Sequence, residues 1–153
     1  VRSPEELTER FRARGLKVTP QRQAVFRVLH GDRSHPTAEA VYAEVSRQMP
    51  TISLRTVYQT LNDLADMGEL QRLDLGLGSA RYDTNVEEPH QHLVCEGCGL
   101  VRDVNVDLSA VRIAHGMPSG FRVSGTDLVV RGWCRACADR GAPGVRPTAR
   151  PTA

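Results

Sequence analysis

At 153 residues the chain holds enough material for one substantial core or two small ones, and a content of 40% hydrophobic and 25% charged residues excludes a disordered or fibrous polymer. A formal net charge of +2 does not by itself argue for a nucleic-acid partner, although Arg10, Arg12, Arg14, Lys17, Arg22 and Arg27 crowd into the early part of the chain. No run of about 18 apolar residues exists and residues 1–20 lack the apolar centre of a signal peptide, so the expectation is a cytoplasmic protein, without a membrane partner, whose four cysteines serve metal or redox chemistry.

Ser3-Pro4-Glu5-Glu6 reads as a helix start, with a serine cap, proline at the first helical position and acids in the first turn, and Gly15 ends that segment. Thr19-Pro20 repeats the signal for a second helix, in which Ala24, Val25, Val28 and Leu29 recur at helical spacing until Gly31. Thr37 caps a third, with Val41, Val45 and Met49 on its apolar face and Pro50 closing it. Ser53 caps a fourth, in which Val57, Leu61 and Leu64 form the buried stripe and Gly68 is the stop. Leu70–Leu75, a Gly76-Leu77-Gly78-Ser79 turn and Ala80–Thr84 then predict a β-hairpin. Helices followed by a hairpin make a winged helix over residues 1–84.

Residues 85–89 are polar and end in proline, so a hinge is expected there. Beyond it, over residues 90–140, strands are predicted at His92–Cys95, Leu100–Val104, Phe121–Ser124 and Leu128–Trp133, with Asp107 capping a short helix from Leu108. Residues 141–153 are Pro, Gly, Arg and Thr with almost nothing to bury, and read as a disordered tail. There is no internal repeat. The fold class is therefore α+β: an N-terminal winged-helix domain followed by a small α/β domain, for which DNA binding, a zinc staple and dimerisation are the expectations carried by the residues and the resemblance below.

A helix about 10–12 Å across fits the major groove of DNA, and the fourth helix carries side chains that reach base edges. Arg55 suits guanine or a phosphate, Gln59 and Asn62 suit adenine, the Tyr58 ring can pack on a thymine methyl, and Thr56 lies on the same surface. Lys17, Arg22 and the wing would hold phosphates, which sets register without reading sequence. A merely solvated face is the competing interpretation.

Two further groups carry metal chemistry. Cys95-Glu96-Gly97-Cys98 and Cys134-Arg135-Ala136-Cys137 each bring two sulfurs onto a tight knuckle, and four thiolates match tetrahedral zinc, whose binding can supply about 10–16 kcal/mol to a small domain. A thiol redox switch is the alternative, but neither pair opens a helix in a larger βαβ unit. The second group is His90-Gln91-His92 with Asp103 and, further off, His35 and Asp83. On an extended segment His90 and His92 share one face while Cys95, at odd spacing, takes the other, so the histidines belong to a separate site. Imidazoles with carboxylates suit Fe(II), Mn(II), Zn(II) or Ni(II), and ligand type alone leaves these open. His30 and His115 are read as structural. A zinc hydrolase would need a general base and a substrate pocket; no HExxH or nucleophile-elbow motif occurs, so neither an enzyme nor a small-molecule substrate is expected.

The stretches Leu16-Lys17-Val18-Thr19-Pro20-Gln21-Arg22, His35-Pro36-Thr37-Ala38, Ser53-Leu54-Arg55-Thr56-Val57-Tyr58, Arg81-Tyr82-Asp83 and His90-Gln91-His92-Leu93-Val94-Cys95, with the two CxxC pairs, resemble the ferric uptake regulator (Fur) family from about Leu7 to Cys137. The resemblance implies a cytoplasmic homodimeric repressor of transcription on an AT-rich inverted repeat of double-stranded DNA, with structural Zn(II) and a regulatory metal between the domains. Within the family it looks most like the peroxide-sensing, PerR-like branch, in which the Fe(II) or Mn(II) ligands match His35, Asp83, His90, His92 and Asp103. There Asp at position 103 rather than Glu goes with oxidation of a ligand histidine, matching His35 or His90, and release of the operator. The alternative within the family is an iron-responsive repressor of metal-uptake genes without peroxide sensing.

Overall fold

The computed structural model describes residues 1–110, 113 and 115–141, and divides into two units, Val1–Pro89 and His90–Ala153. The tail expected over 141–153 lies outside the described residues apart from Gly141.

The first unit opens with four helices, α1 (Pro4–Ala13), α2 (Pro20–Leu29), α3 (Ala38–Gln48) and α4 (Leu54–Asp66). Each starts where a hydroxyl side chain can accept an otherwise unpartnered N–H of the first turn: Ser3 from Glu6, Thr19 from Arg22, Thr37 from Ala40 and Ser53 from Thr56. At α1 the cap is reciprocal, because the Glu6 carboxylate accepts the Ser3 N–H at 2.9 Å. The helices bury Leu7, Phe11, Val25, Phe26, Leu29, Val41, Val45, Val57, Leu61 and Leu64 in one core, where the Phe11 and Phe26 rings meet edge to face at 4.9 Å.

The hairpin follows, with strands β1 (Gln71–Leu73) and β2 (Arg81–Asp83) paired antiparallel, Arg72 opposite Tyr82. Both are shorter than the hydrophobic pattern suggested. The buried Leu70 and Leu75 lie beyond the paired residues, and Asp74 turns the chain by accepting the Gly76 N–H. Helices plus this hairpin make a winged helix. The Asn85 and Glu88 N–H groups donate to Asp83 Oδ1 and Asn85 Oδ1 respectively, so residues 85–89, expected as a hinge, are turned and cluster with the first unit.

The second unit is a three-stranded sheet in the order β4-β3-β5, where β3 is Gln91–Cys95, β4 is Val101–Val104 and β5 is Val129–Gly132. β3 runs antiparallel to β4 and parallel to β5. A parallel partner requires a long return path, which the chain between β4 and β5 supplies. The helix expected from Leu108 is, among the described residues, one 3-10 turn, Leu108–Ala110, with Asp107 accepting the Ser109 N–H. A last short helix, α5 (Arg135–Ala138), carries Cys137.

One expected strand is corrected. Phe121–Ser124 has no regular secondary structure and pairs with no described residue. Its β-favouring side chains lack a surface to cover, and Phe121 and Val123 stay 62% and 49% exposed. Among the described residues, no helix is long and apolar enough to cross a membrane.

Candidate metal centres and nucleic-acid interface

The sulfur cluster is built by β3, the knuckle after it and α5. Cys95 ends β3, and the turn to Gly99, whose φ of 71° suits glycine, returns its N–H to Cys95 O at 2.9 Å and swings Cys98 around. Cys95 then lies opposite Gly132 across the parallel ladder, which brings in Cys134 and Cys137. One sulfur from each of Cys95, Cys98, Cys134 and Cys137 lies within 4.8 Å of the others. Backbone N–H donors from Cys134, Cys98 and Gly97 push the Cys95 thiol down to about 6, the first of them from 3.2 Å. Burial and then the neighbouring sulfurs push Cys137 up to about 12. Four thiolates this close repel one another, so the arrangement is made for a cation. Gly97 lets Cys137 close on the knuckle: a Cβ there would meet Cys137 Cβ and Sγ at 2.9 Å. This donor set fits tetrahedral Zn(II).

The second cluster in this unit is nitrogen and oxygen. His92 pairs with Asp103 across β3 and β4, and His90 precedes the strand on the same side. His90 Nε2 is 3.2 Å from His92 Nε2 and 3.7 Å from Asp103 Oδ1, and one ligand atom of each of the three lies within 4.8 Å of the others. His92 is buried. The alternation of the strand thus separates the imidazoles from the sulfurs, and their donors suit a first-row divalent metal rather than a thiophilic one.

In the first unit, His35 Nε2 lies 3.5 Å from Asp83 Oδ1, with side chains only 1% and 2% exposed. The wing holds them together: the Tyr82 N–H donates to Pro36 O at 3.0 Å, and Arg81 Nη1 to His35 O at 3.4 Å. His35 is also the one described non-glycine residue with positive φ, 54°, a conformation that packing must impose and that concentrates at functional sites. Nothing in the sequence announces that strain.

The fourth helix exposes Arg55, Tyr58, Gln59 and Asn62, with Thr56 half-buried, and Lys17 is exposed in the loop before α2. Three contacts modify the expected roles. The Tyr58 hydroxyl donates to the Glu39 carboxylate of α3, which holds Glu39 below the usual carboxylate range and raises Tyr58, so only the ring remains to meet a base. Gln59 Nε2 donates to Asp63 Oδ1 at 2.8 Å. Arg22, expected to hold a phosphate, has its guanidinium 2.6 Å from Asp63 Oδ2 and over the Phe11 ring at 5.2 Å, is largely covered, and ties α1, α2 and α4 together. Glu39 and Asp63 went unnoticed in the sequence; Asp63 carries a signal, since it lies four residues after Gln59 on one helix face.

Comparison with known proteins agrees with this architecture. The sequence model of the Ferric uptake regulator family matches residues 13–130. The peroxide-responsive repressor PerR of Staphylococcus epidermidis is 35% identical over 138 residues, covering 90% of this chain and 91% of that protein. Among solved structures, a zinc-bound manganese uptake regulator superposes with a TM-score of 0.69 at 30% identity, over 87% of this chain and 99% of the other. PerR from Streptococcus pyogenes, whose structure concerns peroxide sensing and gene regulation, gives 0.51 at 27% identity, over 90% and 94%. On the extent of the family match and of the relatives' coverage, the chain belongs to the Ferric uptake regulator family.

Proposed function

We propose that this protein is a metal-dependent, DNA-binding transcriptional repressor that senses peroxide through a histidine-based iron site and then releases its operator. One observation carries the reading: His90, His92 and Asp103 form a nitrogen and oxygen cluster kept apart from the sulfur quartet on the same short sheet. The first is suited to a reactive metal and the second to an inert one. Likeness to peroxide-responsive repressors across most of the chain supports the same reading.

In this proposal Cys95, Cys98, Cys134 and Cys137 hold Zn(II) and staple the second unit. His35, Asp83, His90, His92 and Asp103 form the ligand set for Fe(II) or Mn(II). Fe(II) held there would supply the electrons that reduce hydrogen peroxide beside the ligand imidazoles, chemistry that Mn(II) would not readily supply. His35 and His90 are the residues that gain oxygen, and an oxidised imidazole no longer donates properly, so metal affinity falls. Arg55, Thr56, Tyr58, Gln59 and Asn62 read the major groove and Lys17 holds a phosphate. A homodimer presents two such helices to an AT-rich inverted repeat, whose half-sites must match their spacing. The reading places the protein in the cytoplasm.

An iron-responsive repressor of metal-uptake genes without peroxide sensing is the second reading, supported by the match to the Ferric uptake regulator family over residues 13–130. Fluorescence anisotropy of an AT-rich inverted-repeat duplex separates the two, with protein loaded anaerobically with Fe(II) or Mn(II) and then exposed to micromolar peroxide. Release by the iron form alone, with added oxygen on a peptide containing His35 or His90, is expected. Retention by both forms until chelation leaves the second reading standing.

A further inference from the structure

The proposed function gives no role to Arg140. The chain turns after α5 through hydrogen bonds from Asp139 N–H to Arg135 O and from Gly141 N–H to Ala138 O. That turn sets Arg140 three residues after Cys137, and its Nη2 donates to Cys137 Sγ at 3.1 Å. The four sulfurs therefore stand in different surroundings. Cys98 is exposed; Cys95 is buried and takes backbone N–H groups; Cys137 is buried, backed by Gly97, and takes a full positive charge.

A cation that coordinates a thiol deprotonates it outright, so a second positive charge cannot create more thiolate there. What it changes is the reactivity of the sulfur lone pair, which falls as the thiolate is stabilised, with a Brønsted slope of about 0.4–0.5. Outer partners of metal ligands act in this way, and arginine keeps its charge at any accessible pH while directing its donors from a rigid plane.

We propose that Arg140 is a positioning residue that shields the Cys137 thiolate from electrophilic oxidants, so that the zinc-binding quartet stays intact at peroxide levels to which the histidine site responds. The inference rests on the reading of the quartet as a zinc site. The step it slows is attack by the Cys137 sulfur on hydrogen peroxide. An S–O bond forms and the O–O bond breaks; hydroxide leaves, and the sulfenic acid keeps the other oxygen and its proton. Sulfur loses two electrons and peroxide gains them.

The test uses the full chain with zinc in place and Mn(II) instead of iron, exposed to hydrogen peroxide beside a chromogenic zinc chelator. Arg140→Ala is expected to release zinc several-fold faster than the parent, and Arg140→Lys at a rate between the two. Equal rates for the parent and Arg140→Ala overturn the proposal while leaving the zinc reading intact. A parent chain that yields no zinc on denaturation overturns both. Should Arg140→Ala purify without zinc, mass spectrometry of the parent decides: Cys98 gaining oxygen first and Cys137 last supports shielding, and Cys137 first overturns it.

Discussion

Single atoms decide much at the sulfur cluster. Gly97 was visible in the sequence only as a spacer inside a CxxC, yet its missing Cβ is what lets Cys137 close on the knuckle. Gly97→Ala should force ligand sulfur and backbone apart and leave less than one zinc per chain, measured by metal analysis after gel filtration; full occupancy would show that the knuckle can shift. At the other cluster the types and order of the donors were legible, because strand alternation assigns faces without any structure. The strain at His35 and the cover given to Arg22 were not, since both depend on neighbours distant in the chain. His92→Ala should keep the fold, read by circular dichroism, and lose the metal-dependent part of operator binding; a variant that binds as tightly as the parent removes His92 from the ligand set.

Helices announced themselves because their start signals are local, and each proposed cap residue accepts the expected N–H. At α1 the Ser3 backbone N–H, then its hydroxyl, holds the Glu6 carboxyl below its ordinary value of 4.5. A carboxyl depressed in the folded state contributes stability that is complete above its unfolded value and is lost as pH falls through the folded one. Glu6→Gln should therefore be less stable than the parent at pH 7, with the gap in urea midpoint closing below about pH 4. A gap independent of pH would place the cost elsewhere. The junction of α1, α2 and α4 has a second dependence, because Asp63 receives both Arg22 and Gln59. Asp63→Ala should cost about 2–3 kcal/mol in urea unfolding by leaving a covered guanidinium without its partner; a loss below about 0.5 kcal/mol would mean that water replaces the carboxylate. Strands were less legible than helices. Phe121–Ser124 has the right composition, but a strand exists only where a partner meets it, and composition does not identify partners.

On the scale of the molecule, that same segment points outward. Phe121 and Val123, with Leu93 and Val130 of the sheet, leave the second unit with exposed large apolar side chains. A second copy of the chain is their expected cover, and Phe121→Glu should shift gel filtration with light scattering from dimer toward monomer and weaken binding to a full inverted repeat far more than to a half-site. A dimer of parental strength would move the interface elsewhere. The chain divides into two units at Pro89, after the hairpin that closes the first and before the sheet of the second. The parallel pairing of β3 with β5 sets the order in which a new chain becomes complete. As synthesis proceeds, the DNA-reading unit can fold while Cys95 and Cys98 still await Cys134 and Cys137. A growing chain that folds in this order carries a finished first unit beside an open pair of thiols, and an oxidant harmless to the closed quartet can reach that pair.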